Sequence, residues 1–180
     1  MGTMTHCARE APVDRFESFM KMLRERRVGF KMDEVMTGTH HFVNKAGPAG
    51  EHPMSFRVTW GTRHLASYIN PFNPGFMSNW LEGTVTVGGL VTDAPCRGTL
   101  DLAYFTEAKI RYTFDFKDDK GTPYRYVGEK VNLRPWNLHK THTTCYGTIV
   151  NLKTNKEVSK SIVYFKLDTV PDFISSIRLG

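Results

Sequence analysis

Residues 30–44 read FKMDEVMTGTHHFVN. Phe30, Met32, Glu34 and Met36 alternate there with Lys31, Asp33, Val35 and Thr37. Successive side chains of a strand point to opposite faces, so this two-residue period marks a strand. The stretch decides the fold because the residues before it keep a different period. Phe16, Phe19, Met20 and Leu23 fall at i, i+3, i+4 and i+7, one face of a helix. Asp14 and Glu17 form a capping-box pattern after Pro12, and Gly29 stands where such a helix stops. The change of period therefore separates an N-terminal helix, 13–28, from a β body, with residues 1–12 as a flexible tail.

Working outward from that strand, seven more strings have strand character. They are MSFRVTW (54–60), NWLEGTVTVGGL (79–90), PCRGTLDLAYF (95–105), KIRYTFDFKDD (109–119), TPYRYVGEKVNL (122–133), HTTCYGTIVNL (142–152) and VSKSIVYFKLD (158–168). Between them stand turn-like separators, DAP, TEA, DDKG and LKTNKE, and a longer RPWNLHK. Eight strands joined mostly by hairpin-length connections read as an antiparallel meander. Closing it hides both edges. The expected fold is mainly β: an eight-stranded antiparallel up-and-down barrel of lipocalin or calycin type over 30–168. Thr169 and Asp172 fit a second capping box, with Pro171 in the first turn and Phe173 and Ile177 on one face. That predicts a short C-terminal helix over 169–180. Residues 13–180 thus form one domain.

Hydrophobic residues make up 40% of the 180 and aromatic residues 12%, enough for a core and too many for a disordered chain. The net charge of +6 is spread along the chain, with one modest cluster at 24–31. Nucleic-acid readers cluster such charge around aromatics, so no nucleic-acid partner is expected. Cys7, Cys96 and Cys145 show no CxxC pairing, which points to free thiols in a reducing compartment. The N-terminus lacks the apolar core of a signal peptide, and no apolar run reaches the ~20 residues of a transmembrane segment. Cytoplasmic localisation is the expectation.

His139, His142 and Cys145 lie at metal-like spacing in NLHKTHTTCYGT. On a strand, however, His142 and Cys145 point to opposite faces, and His139 precedes the strand. No metal site is expected there, and adjacent His40 and His41 diverge in the same way. GxGxxG, P-loop, GxSxG and HExxH patterns are absent. No cofactor is expected. Glu34 and His40 share a face with Met32 and Met36, while Arg111 lies opposite Tyr112 and Phe114. A carboxylate or imidazole inside an apolar barrel can move a proton, so Glu34, His40 and Arg111 are the catalytic candidates if the protein is an enzyme. Each is otherwise a strand-end or hydrogen-bonded core group.

GTRHLASYINPFNPGFMS is long for a hairpin connection, and long loops often act as lids. Tyr68, Phe72, Phe76 and Trp80 cluster around its prolines, and Trp60 and Trp136 lie near strand ends. With Tyr112 and Tyr126 they are the ligand-binding candidates, as an aromatic rim over a cavity or as a plug at the end of the barrel.

The strings YRYVGEKVNLRPWNLHKTHTTCYGTIV (124–150) and SIVYFKLDTVPDFISSIR (161–178) carry a resemblance. They resemble the β-rich C-terminal extension of long GMC, cholesterol-oxidase-like, flavoprotein oxidoreductases. The matching positions are Gly128, Lys130, Val131, Thr143, Thr144, Tyr146, Pro171 and Phe173. EVMTGTHHF and GTLDLAYF resemble its earlier strands, so the likeness covers roughly residues 30–180. A dinucleotide fingerprint is missing. The resemblance therefore implies a free-standing accessory barrel, carries over no flavin chemistry and assigns no catalytic residue.

Three functions follow as expectations. The first is lipocalin-like binding of a hydrophobic small molecule, a sterol, terpenoid or lipid, as an accessory to a flavoprotein oxidoreductase. The second is a cofactor-free isomerase or cyclase acting on such a molecule inside the barrel. The third is a structural docking module with a filled core. A homodimer is a further partner expectation.

Overall fold

The structure is a computed structural model that describes residues 28–103, 107–131, 144–165 and 178–179, together with Glu17 and Lys21. The strands are β1 Phe30–Phe42, β2 Glu51–Thr62, β3 Ser78–Val87, β4 Val91–Ala103, β5 Lys109–Lys117, β6 Pro123–Lys130, β7 Thr144–Asn151, β8 Lys156–Phe165 and β9 Arg178–Leu179. One helical turn, α1 (Leu65–Tyr68), lies between β2 and β3.

Strands β2 to β8 pair in sequence order, all antiparallel. β1 pairs with β8 on one side (Thr39 opposite Ile162) and with β2 on the other (Met36 opposite Phe56). Those two ladders close the meander into an eight-stranded antiparallel barrel. The short connections 43–50, 88–90, 118–122 and 152–155 gather at one end, here the turn end. The connections after β2, β4, β6 and β8 leave from the opposite, loop end.

The two-residue period sorts the faces. On β5, Ile110, Tyr112, Phe114 and Phe116 are buried, while the residues between them are not. The inward set fills the waist of the barrel. The Phe56 ring lies 5.7 Å from Tyr112, 5.3 Å from Phe114 and 5.7 Å from Tyr126, and Phe114 stacks on Tyr126 at 4.8 Å. β2 is not a neighbour of β5 or β6 in the sheet, so these rings meet across the lumen. Burying each such ring stabilises the fold by about 1.5–3 kcal/mol.

The turn-end connections use local chemistry. Asp118 Oδ1 accepts the backbone N–H groups of Lys120 (2.9 Å) and Thr122 (2.8 Å), and Gly121 takes φ 74°. A side chain at that φ would be strained, so glycine fits the position. These hydrogen bonds hold the half-buried Asp118 carboxyl below its usual range.

The structure corrects two sequence expectations. DAP (93–95) is not a turn: the reversal comes earlier, at 88–90, and β4 already runs from Val91. Pairing of β4 with β5 begins only at Cys96, so 91–95 has a neighbour on the β3 side alone. It is a local edge, where Pro95 is tolerated in a strand. The expected helix over 169–180 does not reach its C-terminal bound, because Leu179 and Arg178 pair as β9 with Phe30 and Lys31. Among the described residues β8 pairs with β1 from Met36 onward, and β9 supplies a partner for Phe30 and Lys31 at the start of β1. Glu17 and Lys21 are helical. The rest of the expected N-terminal helix up to residue 27, the tail 1–12, and residues 169–177 of the C-terminal helix lie outside the described residues.

Candidate functional site

Four inward side chains from four strands converge near the loop end. β1 contributes Glu34, β2 Trp60, β5 Tyr112 and β6 Lys130. Glu34 and Lys130 are 4% and 5% exposed at their side chains, with Lys130 Nζ 3.0 Å from Glu34 Oε1. The Tyr112 hydroxyl donates to the same carboxylate, 2.9 Å from Oε1 and 3.1 Å from Oε2. Trp60 Nε1–H donates to Oε2 at 3.0 Å. Lys130 Nζ also sits over the rings of Tyr112 (5.2 Å) and Phe165 (5.6 Å).

The electrostatics follow from burial. Removing Tyr112 from water, with the Glu34 charge beside it, pushes its phenol well above the usual range, so it acts as a donor. Deeper in, burial pushes the Cys145 thiol up to about 12, which leaves it an unreactive core group near the Tyr126 hydroxyl, 3.6 Å away. A carboxylate offers about four lone-pair positions, and three donors engage Glu34: the Lys130 ammonium, the Trp60 indole N–H and the single Tyr112 hydroxyl proton, which lies between the two oxygens. Buried ion pairs are often no more stabilising than well-packed apolar residues of the same volume. Stability alone therefore gives no strong reason for this pair.

Above the cluster, toward the loop end, Phe30 packs edge-on against Trp60 (6.1 Å) and Tyr68 (5.3 Å). Phe30, Met32, Leu102 and Phe165 are only partly buried there and rest on the core. All four stand on strand ends at the loop end, here called the mouth, on the same side as the charged cluster.

The other candidates separate. His40 points inward as expected, but it lies six residues beyond Glu34 on the same strand, ~20 Å toward the turn end. Its Nε2–H donates to the Gly88 carbonyl (2.9 Å), so its Nδ1 accepts from the Ser159 hydroxyl (2.7 Å). His40 and Ser159 are fully buried, at 1% and 0% exposure, and the ring ties β1, β8 and the 88–90 turn together. Arg111 lies on the outer wall. It is bound to Glu129 (2.8 Å) and Glu107 (3.2 Å), away from Tyr112's inward face.

Of the aromatic candidates, Trp60, Tyr112 and Tyr68 surround the cluster and its mouth, and Tyr126 lies in the filled waist. Phe72 is 95% exposed and covers nothing, while Phe76 and Trp80 are half-buried. Trp136, His139 and His142 lie outside the described residues. No group of three metal-ligating side chains occurs among the described residues. Lys130 escaped the sequence reading, although its phase with Tyr124 and Tyr126 in YRYVGEK marks it as inward.

An open depression of about 700 Å³ spans β3 to β5, lined in part by Glu82, Arg97, Asp115 and Lys117. It does not touch the buried cluster. Three of these charges are paired, in Arg97–Glu82 (3.4 Å) and Arg125–Asp115 (2.7 Å). The buried cluster is the stronger site because its polar groups converge where solvation is lost.

His40 carries a testable pH effect. Burial lowers its pKa from the ordinary 6.5, and the nearby His52 and His41 lower it further, against the opposing pull of the Gly88 carbonyl. The unfolded chain therefore takes up this proton first as pH falls. Its stabilising contribution is complete above about pH 6.5 and is lost as pH falls toward the folded value. Urea midpoints should decline below about pH 6.5. A His40→Gln variant should show a flatter profile there. Equal slopes in both proteins would exclude His40 as the source.

Among the described residues no helix is long and apolar enough to cross a membrane. Comparison with protein-family models, with curated proteins and with solved structures finds no match to this chain.

Proposed function

We propose that the protein binds one small, largely apolar molecule at the loop end of the barrel, in a lipocalin-like manner. Its apolar body rests on Phe30, Met32, Leu102 and Phe165, and a polar head reaches toward Lys130. The observation that carries this reading is the buried Glu34–Lys130 pair, at 3.0 Å, near partly buried apolar side chains of the loop end. Such a pairing of apolar walls with a few convergent polar groups is typical of small-molecule sites. The aromatic waist limits the space to this end. The isomerase alternative needs Glu34 to take a proton from the substrate, and its engagement with Tyr112, Trp60 and Lys130 favours binding over that role. The resemblance to the GMC extension adds a flavoprotein oxidoreductase as the partner to which such a ligand is presented.

The test is titration of the neutral apolar dye N-phenyl-1-naphthylamine into the purified protein. Saturable one-to-one binding in the micromolar range, about −8 kcal/mol, is expected. Met32→Trp, which fills the mouth, should weaken binding at least ~10-fold, a change of about 1.4 kcal/mol. Phe72→Ser should leave it unchanged. A parent protein that binds no dye would overturn this reading in favour of the filled docking module.

A further inference from the structure

We propose that Lys130 condenses reversibly with the carbonyl group of an apolar aldehyde, forming an imine whose counter-ion is Glu34. The inference rests on the mouth-binding reading and narrows its ligand to a carbonyl compound.

Three observations point to it. Lys130 is a buried amine, and among the described residues Glu34 Oε1 is its one hydrogen-bond acceptor. An ammonium has three N–H donors. The other contacts of Nζ are the faces of Tyr112 and Phe165, which hold a cation but accept no conventional hydrogen bond. Phe165 is one of the partly buried residues of the mouth, so the amine adjoins the space proposed for the ligand. Finally, the carboxylate accepts from three protein donors, Tyr112, Trp60 and Lys130, and of these only the Lys130 nitrogen becomes an amine nucleophile on giving up its proton. The proton it is best placed to take is therefore Lys130's own, across the 3.0 Å contact.

The step balances without a further reactant. Glu34 takes a proton from the Lys130 ammonium, and the freed lone pair attacks the aldehyde carbon. The N–C bond forms, the carbonyl π bond breaks, and one proton of the attacking nitrogen passes to the carbonyl oxygen, which becomes the hydroxyl of a neutral carbinolamine. That hydroxyl leaves as water after receiving the proton back from Glu34. The product is a protonated imine, so one aldehyde and one ammonium give one iminium and one water. Charge is conserved, and the iminium keeps the Glu34 carboxylate beside it. An apolar, aromatic surround slows hydrolysis by limiting water.

The experiment is reductive trapping on the full chain with decanal and sodium cyanoborohydride, at one equivalent of aldehyde, followed by peptide mapping. The expected result is a single decyl adduct, at least tenfold enriched at Lys130 over exposed lysines such as Lys117 and Lys160. Lys130→Arg keeps a cation beside Glu34. It should keep the parent's far-ultraviolet circular dichroism spectrum and lose the adduct. Glu34→Gln should cut the trapping rate at least tenfold. Dye binding without enrichment at Lys130 would overturn the imine and leave the binding reading standing. Loss of both would overturn both.

Discussion

Replacing Glu34 by alanine is expected to lower stability by about 3–5 kcal/mol, the usual effect of removing one member of a buried ion pair. The substitution leaves the Lys130 ammonium buried without its carboxylate and also removes the acceptor of the Tyr112 hydroxyl and of the Trp60 indole N–H. The loss therefore reflects the groups left behind more than the worth of the pair. A Glu34→Leu/Lys130→Met double variant should recover much of it, because the cost of two buried charges disappears together. Urea unfolding with an unchanged m-value reads both results. A single-variant loss below about 1 kcal/mol would mean that water reaches Lys130, as it does in exposed pairs.

Tyr126→Ala should destabilise by a similar amount, about 3–5 kcal/mol, the range for deleting a buried aromatic ring. Its ring is fully buried, stacked on Phe114 and in contact with Phe56. It also lies against Gly128 and Gly147, which face each other on β6 and β7. A Cβ on Gly128 would meet the Tyr126 hydroxyl at 2.5 Å, and one on Gly147 would meet the same ring closer still. In the parent, Gly147→Ala should therefore cost about 1–3 kcal/mol by overpacking. In the Tyr126→Ala background the same methyl enters the vacated space, and its effect should shrink or change sign. A double-mutant cycle measures this coupling. Simple additivity would show that the two glycines are not there to seat the ring.

Much of this frame was legible in the sequence because burial imposes its own period. Alternation alone put Glu34, Met36 and His40 on one face of β1, and Arg111 and Asp115 opposite Tyr112 and Phe114. A slip of one residue would have inverted every one of those assignments. What alternation does not carry is height and angle around the barrel. Glu34 and Lys130 stand 96 residues apart, on strands that are not neighbours. Their meeting depends on how the closed sheet is staggered, which no local string encodes. For the same reason His40 and Glu34, similar by phase, sit at opposite ends. Local signals also misled where context outweighed them. Pro95 reads as a turn residue but occupies a strand segment paired on one side. Phe72 reads as part of a lid but faces solvent.

The short ladder between β1 and β9 has a topological consequence. Phe30 lies opposite Leu179 and Lys31 opposite Arg178, so the two described strands furthest apart in sequence run side by side, ~4.8 Å apart. Traced through its hydrogen bonds, the barrel is a ring with no first or last member. A polypeptide joined between those two strands and opened in the 88–90 turn would draw the same set of ladders in a different order. Which strand comes first is thus a property of the gene and not of the architecture, and the charged cluster at the loop end is indifferent to it.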